Sequence, residues 1–343
     1  MSIEASHKFN QIVKRVEFFP FEWSANLIAV VFNDSVQILK YTESTQRKDD
    51  ISDQTDSRNE PCKLNLVLTI PFQQKIDNFT WNPKTIITSL KPVISFAVSD
   101  CAQNVIFCTS SSDQHQSIET DHRQNVQTLI EKFDVDCIYS MSFDYQSGEF
   151  LALTADNSLY LWDCNESKLR ARFSLQSPGA SVCWHRDEQT KFMVTEASGV
   201  IRIYSLDTLR PVFSLLCFNE QTKRISTPIL SFDWSQLSPE IIIANTINEI
   251  LIWNTSKSSL PEKVIDNFDR LKKLKLCHSK DNLIGFIDGN DACSKFTILN
   301  YKSNQTIYQS KNLKLLNSFS FNSVLPIVAI SNEQQVTIKK VVG

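Results

Sequence analysis

Residues 137–175 read CIYSMSFDYQSGEFLALTADNSLYLWDCNESKLRARFSL, and residues 180–215, ASVCWHRDEQTKFMVTEASGVIRIYSLDTLRPVFSL, repeat their pattern. Each copy is an apolar strand ending in an aromatic, a polar turn and a second apolar strand. A tight turn, a third strand ending in an aromatic plus a polar residue, and a fourth amphipathic strand follow. Phe143 and Trp184 hold the equivalent position, 41 residues apart. A four-strand unit at that period is the signature of a WD-type β-propeller blade.

Extending the repeat both ways finds seven units, anchored at Phe18, Trp81, Phe143, Trp184, Trp234, His278 and Phe321. The first two gaps, 63 and 62 residues, are long, and composition explains them. Residues 42–61 are almost wholly polar with nine charges, and residues 110–124 are similar. Neither can bury enough apolar surface to offset its ordering entropy, so both read as mobile loops. The expected organisation is a single seven-bladed, all-β propeller over residues 1–343.

The second strand of each unit is a near-continuous apolar run, as in Asn26–Phe32 and Ile241–Ala244. Burial of both faces between neighbouring blades explains the lack of strict alternation. Tight turns follow at Asn33-Asp34, Asp156-Asn157, Ser198-Gly199 and Asn332-Glu333, where Asn, Asp and Gly tolerate positive φ. Asp269–Leu276 (DRLKKLKL) reads as the first strand of unit six. The last unit stops after its third strand, Gln335–Val341. An open ring would expose sheet edges, so the segment around Lys8–Val13 is expected to supply the outermost strand of blade seven.

The repeat is degenerate. Six glycines are few, the Gly-His dipeptide is missing, and only Trp162-Asp163 spells the WD pair. Periodicity, not motif matching, carries the fold.

Net charge is −3, without the strongly basic footprint of a direct nucleic-acid binder. Nine cysteines form no C-x-x-C pair and read as small buried hydrophobes of a reducing compartment. The N-terminus lacks the apolar core of a signal peptide, and no apolar run approaches the ~20 residues of a membrane span. A soluble intracellular protein, cytosolic or nuclear, is expected.

Chemistry is sparse. Cys183 and His185 flank Trp184, and a Cys–His nucleophile pair is the functional reading. Residues i and i+2 of a strand share a face without aiming at each other, so a blade-forming role is favoured. His7, His115, His122, His185 and His278 make no metal-ligand spacing, and no Gly-rich phosphate loop exists. No catalytic residue, cofactor or metal site is expected, nor a polar cluster in the central channel. The surface remains: Phe21 and Trp23, in Phe19–Ser24 (FPFEWS), are candidates for a partner-binding edge, because such aromatics are enriched at hot spots. Packing beneath the loop is the plainer reading.

Several strings point to one family. SPGASVCWH (177–185), with KFMV (191–194) and GVIRIY (199–204), closely resembles blade four of the nucleoporin thirty-seven family of small WD-repeat nucleoporins. VEFFPFEWSANLIAV (16–30) is similar to that family's opening V-E-F-x-P-F-E…N-L-I-A. KPVISF (91–96) resembles its P-P-V-I-K-F run, and Leu161-Trp162 its R-I-W-N. The likeness covers blades one to five; over residues 265–343 only the strand pattern supports it.

The resemblance implies a non-enzymatic structural subunit of the Y-shaped outer ring of the nuclear pore complex, at the nuclear envelope. It implies docking on the large scaffold nucleoporin of one arm, with contacts in some lineages to an Elys-type chromatin-linking nucleoporin. It implies support of pore assembly and transport, without direct nucleic-acid binding or membrane insertion. The alternative is a WD-repeat substrate receptor of a ubiquitin ligase or another WD-repeat adaptor; the receptor's W-D-x-R run would fall at Trp162–Asn165. Asn165 stands where that reading needs Arg.

Overall fold

Among the described residues, seven four-stranded antiparallel sheets form the blades, and a two-stranded sheet, Phe218–Asn219 with Arg224–Ile225, stands beside them. The computed structural model describes residues 3–43, 62–87, 92–111, 126–186, 188 and 190–341. The stretches read as mobile, 42–61 and 110–124, lie largely outside these. Their first residues do not loop: Thr42 ends the strand Ser35–Thr42, and Ser110 lies in Asn104–Ser111.

Each blade runs from an innermost strand outward. In blade three the order is Ile138–Phe143, Phe150–Ala155, Ser158–Asp163 and Lys168–Ser174. Blade four follows with Gly179–Trp184, Lys191–Glu196, Val200–Ser205 and Arg210–Leu216. Six anchors, Phe18, Trp81, Phe143, Trp184, Trp234 and Phe321, are the last residues of innermost strands. The seventh does not hold. In blade six the strand is Leu271–Leu276, and Leu276, not His278, occupies the anchor position. The residue there is aliphatic, so a search for aromatics and imidazoles overshoots by two.

The core lies between blades. In the second strand of blade one, Leu27–Val31, every residue is buried. Successive side chains point to opposite faces of a strand. Leu27, Ala29 and Val31 therefore join Phe79, Trp81 and Phe96 of blade two, while Ile28 and Val30 join Ile327, Ala329 and Ile338 of blade seven. Two apolar faces need a continuous apolar run, and each fully buried Leu, Ile or Val contributes about 1.5–3 kcal/mol.

Blade seven closes the ring. Ile3–Lys8 pairs antiparallel with Gln335–Lys340, so the N-terminus does supply the outermost strand. The strand begins earlier than Lys8–Val13, however. That segment instead carries the chain from the rim back to the channel, with Phe9 and Val13 amides donating to the Gln334 and Glu333 carbonyls. Tight turns fall where the sequence placed them, with positive φ at Asp156, Gly199 and Glu333. At the last of these the strained residue is Glu333, not Asn332.

Candidate functional site

The central channel is built by one rule applied seven times. Counting back from each anchor, positions −1 and −3 are Glu17 and Arg15, Thr80 and Asn78, Ser142 and Ser140, and Cys183 and Ser181. They continue as Asp233 and Ser231, Lys275 and Lys273, and Ser320 and Ser318. Strand period 2 puts both members of a pair on the same face. All but Asn78, Ser231 and Ser318 line a central cavity of about 160 Å³. Those three bond the adjacent blade: Asn78 Nδ2 donates to the Ile138 carbonyl, Ser318 Oγ to the Val16 carbonyl, and Ser231 Oγ accepts the Leu274 amide.

The same face stitches innermost strands together. Ser140 Oγ accepts the Val182 amide at 3.2 Å and Ser320 Oγ accepts the Phe18 amide at 3.0 Å. Two anchor tryptophans act likewise: Trp184 Nε1 donates to the Ser142 carbonyl at 2.9 Å, and Trp81 Nε1 to the Glu17 carbonyl at 3.3 Å. Trp234 departs, donating to Pro239 within its own blade.

Contrary to expectation, the channel holds a polar cluster. Asp233 is buried, and its Oδ2 accepts the Leu276 amide at 2.8 Å. Lys275 Nζ lies 3.3 Å from Oδ1 and His278 Nε2 lies 3.5 Å from Oδ2. Burial works against ionisation of Asp233, but Lys275, His278 and the Leu276 amide outweigh it and hold the carboxyl down at about 2. Burial likewise opposes the Lys275 ammonium, yet Asp233 more than offsets it and Lys275 titrates above its ordinary value. Lys273 has no carboxylate within 4 Å among the described residues; burial, then Arg15, pushes it down to about 7. The signal for this cluster was present as charges at i and i+2 in RVEF (15–18) and LKKLKL (271–276).

Cys183 and His185 do not form a nucleophile pair. Cys183 Sγ lies 3.4 Å from the Tyr145 hydroxyl, and burial pushes its thiol up to about 11. His185 Nδ1 accepts the Glu188 amide at 2.9 Å, and the ring stands edge-on to Trp234 with centroids 4.4 Å apart. The imidazole caps its own turn. Among the described residues no group of three or more His, Cys, Asp or Glu is placed to hold a metal ion.

Phe21 and Trp23 lie in the loop from first to second strand of blade one, at a 3₁₀ turn, Glu22–Ser24. Their rings stack, centroids 4.6 Å apart and 7° from parallel, but their exposures differ. Phe21 is 4% exposed, wedged against Phe19 and Tyr145, while Trp23 is 41% exposed. Trp23 Nε1 donates to the Thr85 carbonyl of blade two at 2.9 Å, which fixes the indole on the surface. Ile86, beside Thr85, is also exposed, as is Val324 in the equivalent loop of blade seven. Asn322 Nδ2 ties that loop to the Ala25 carbonyl at 2.6 Å. The result is a set of apolar side chains on one face across blades seven, one and two. Elsewhere, Asp163 caps its own turn through the Asn165 and Glu166 amides, so Asn165 is a turn residue.

No protein-family profile matches the chain. Curated relatives do. Nucleoporin Nup37 of Mus musculus is 28% identical over 327 residues, covering 93% of this chain and 91% of the relative. Nucleoporin Nup37 of Homo sapiens is 31% identical over 252 residues, 72% of this chain and 68% of the relative. Nucleoporin Nup37 of Drosophila melanogaster is 24% identical over 163 residues, about half of each chain. Near-complete coverage by one relative and the identity to another agree with the seven-bladed fold and the blade-four string: the chain belongs to the nucleoporin Nup37 family.

Proposed function

We propose that this chain is a non-enzymatic scaffold subunit of the Y-shaped outer ring of the nuclear pore complex. Membership of a nucleoporin family carries the localisation, the pore at the nuclear envelope. The structural observation that supports a scaffold role is the exposed apolar set Trp23, Ile86 and Val324, carried by equivalent loops of blades one, two and seven. Fixed aromatic anchors lose little side-chain entropy on docking and dominate interface energetics. The face suits the large scaffold nucleoporin of one arm of the Y, with an Elys-type nucleoporin as a further neighbour.

The potential nucleophile points the same way. Burial pushes the Cys183 thiol up to about 11, away from the thiolate form a nucleophile needs, and its hydrogen-bond neighbour is the Tyr145 hydroxyl. Imaging of a fluorescently tagged chain tests the reading. A nuclear-rim signal that fades in a Trp23→Ala variant of unchanged melting temperature supports it; an undiminished rim removes Trp23 from the docking face, and a diffuse wild-type signal removes the scaffold role.

A further inference from the structure

Four cationic side chains reach the central channel, and three have a carboxylate. Arg15 pairs with Glu17 at 2.6 Å, Lys275 with Asp233 at 3.3 Å, and Arg186 with Glu22 at 3.6 Å. Lys273 has none within 4 Å among the described residues. One of its three N–H donors reaches Ser318 Oγ at 2.8 Å, and the ammonium lies 5.9 Å from the centroid of the Phe319 ring. The charged groups around it are Arg15 and Glu17 from blade one, Asp233 from blade five, and Lys275 on its own strand.

Lys273 is half-buried, and an ammonium partly withdrawn from water without a carboxylate partner attracts an anion with less screening than at the open surface. Next to it lies the 160 Å³ cavity, with polar side chains around most of its wall. We propose that this cavity binds one small phosphate-class anion, with Lys273 as its counter-ion and Arg15 and Lys275 around it. The volume is ample for a small tetrahedral oxyanion and accompanying waters, each water needing only about 10–15 Å³ of such space. The two carboxylates refine the choice. Glu17 and Asp233 only accept hydrogen bonds when ionised, so they repel sulfate, which has no proton to give. A hydrogen phosphate or a phosphomonoester monoanion can donate one to them. Bound anion also restores the Lys273 ammonium, which its surroundings bring down to about 7.

The site is independent of the pore role and is tested separately. Isothermal titration calorimetry of the full-length chain is run at about pH 6, near the second pKa of a phosphomonoester so that the monoanion is populated, with sodium phosphate, glycerol 3-phosphate and sodium sulfate at ionic strength held constant with sodium chloride. Phosphate or glycerol 3-phosphate is expected to bind saturably at one site, and sulfate at least tenfold more weakly. The tighter of the first two tells free phosphate from an ester. Lys273→Met, which keeps the stem and removes the charge, is expected to weaken binding at least tenfold with an unchanged circular dichroism spectrum. Should that variant not fold, the wild-type melting temperature carries the test: it is expected to rise with phosphate more than with sulfate, and equal shifts overturn the proposal. No saturable binding of either phosphate compound overturns the proposal. So does equal binding of sulfate, or wild-type affinity in folded Lys273→Met.

Discussion

Asp233 of blade five and Leu276 of blade six are joined across the channel wall, the buried carboxylate accepting the amide at 2.8 Å. The serine contacts Ser140 to Val182, Ser231 to Leu274 and Ser320 to Phe18 repeat this relationship in neutral form. A propeller whose innermost strands do not pair as a sheet needs another way to satisfy inward-facing backbone amides. Here a polar residue one or three places before the anchor does it. Asp233 is the charged version, and it brings Lys275 and His278 with it.

The sign of its pH dependence follows. The folded carboxyl titrates at about 2 and the unfolded one near its ordinary 3.8. A depressed carboxylate supplies stability that is present above the unfolded value and lost as pH falls through the folded one. The shift is worth about 2 kcal/mol between roughly pH 4 and pH 2. Urea unfolding of Asp233→Asn is therefore expected to show a lower midpoint at pH 7 and a flatter decline in that acid window than wild type. Equal slopes in the two proteins would remove the assignment.

Deleting residues 1–13 takes away the strand Ile3–Lys8 and buried Val13, and uncovers the edge of Gln335–Lys340. The melting temperature is expected to fall by roughly 5–10 °C, on the basis of a few kcal/mol at about 2 °C each. A melt that does not move would mean the ring closes without this strand.

Phe21 and Trp23 should separate on substitution. Phe21→Ala opens a cavity between blades one and two and is expected to cost about 3–5 kcal/mol of stability in chemical denaturation. Trp23→Ala removes a surface ring that already meets water, and is expected to cost about 1 kcal/mol or less while reducing partner capture at least tenfold. Equal stability losses would show that Trp23 is structural.

Thiol chemistry gives an independent check on blade packing. Cys108 and Cys217 are buried and pushed up to about 12, and Cys183 to about 11, each chiefly by burial. Cys101, Cys137 and Cys293 are exposed, so the reading of the cysteines as buried hydrophobes does not hold for these three. Iodoacetamide at pH 7.5, followed by peptide mass mapping, should modify the exposed three first and Cys183 at least a hundredfold more slowly. Fast alkylation of Cys183 would reopen the nucleophile reading.

Much of the ring was legible because a blade writes its burial into the sequence. Leu27–Val31 and Ile241–Asn245 are apolar on both faces, and turns such as Asp156-Asn157 interrupt them on schedule. Blade six blurred because its anchor is Leu276, chemically like every other core residue. The closing strand was placed late because IEASHK has no apolar alternation strong enough to outcompete the more visible Phe9–Val13. The channel cluster was missed for a different reason. Lys273 and Lys275 alternate with Leu274 and Leu276 as on any solvated strand, and only the ring geometry turns their polar face inward. Trp23 and Phe21, alike in sequence, differ in exposure because the 3₁₀ turn stacks one ring over the other.

The most direct measurement for the scaffold role is quantitative mass spectrometry of assemblies captured through a chromosomally tagged chain. Near-stoichiometric recovery of outer-ring nucleoporins, including the large scaffold subunit, is expected, with loss of that subunit from the Trp23→Ala sample at unchanged chain abundance. Recovery of the chain alone, or with a ubiquitin-ligase adaptor in place of outer-ring subunits, would contradict the scaffold role.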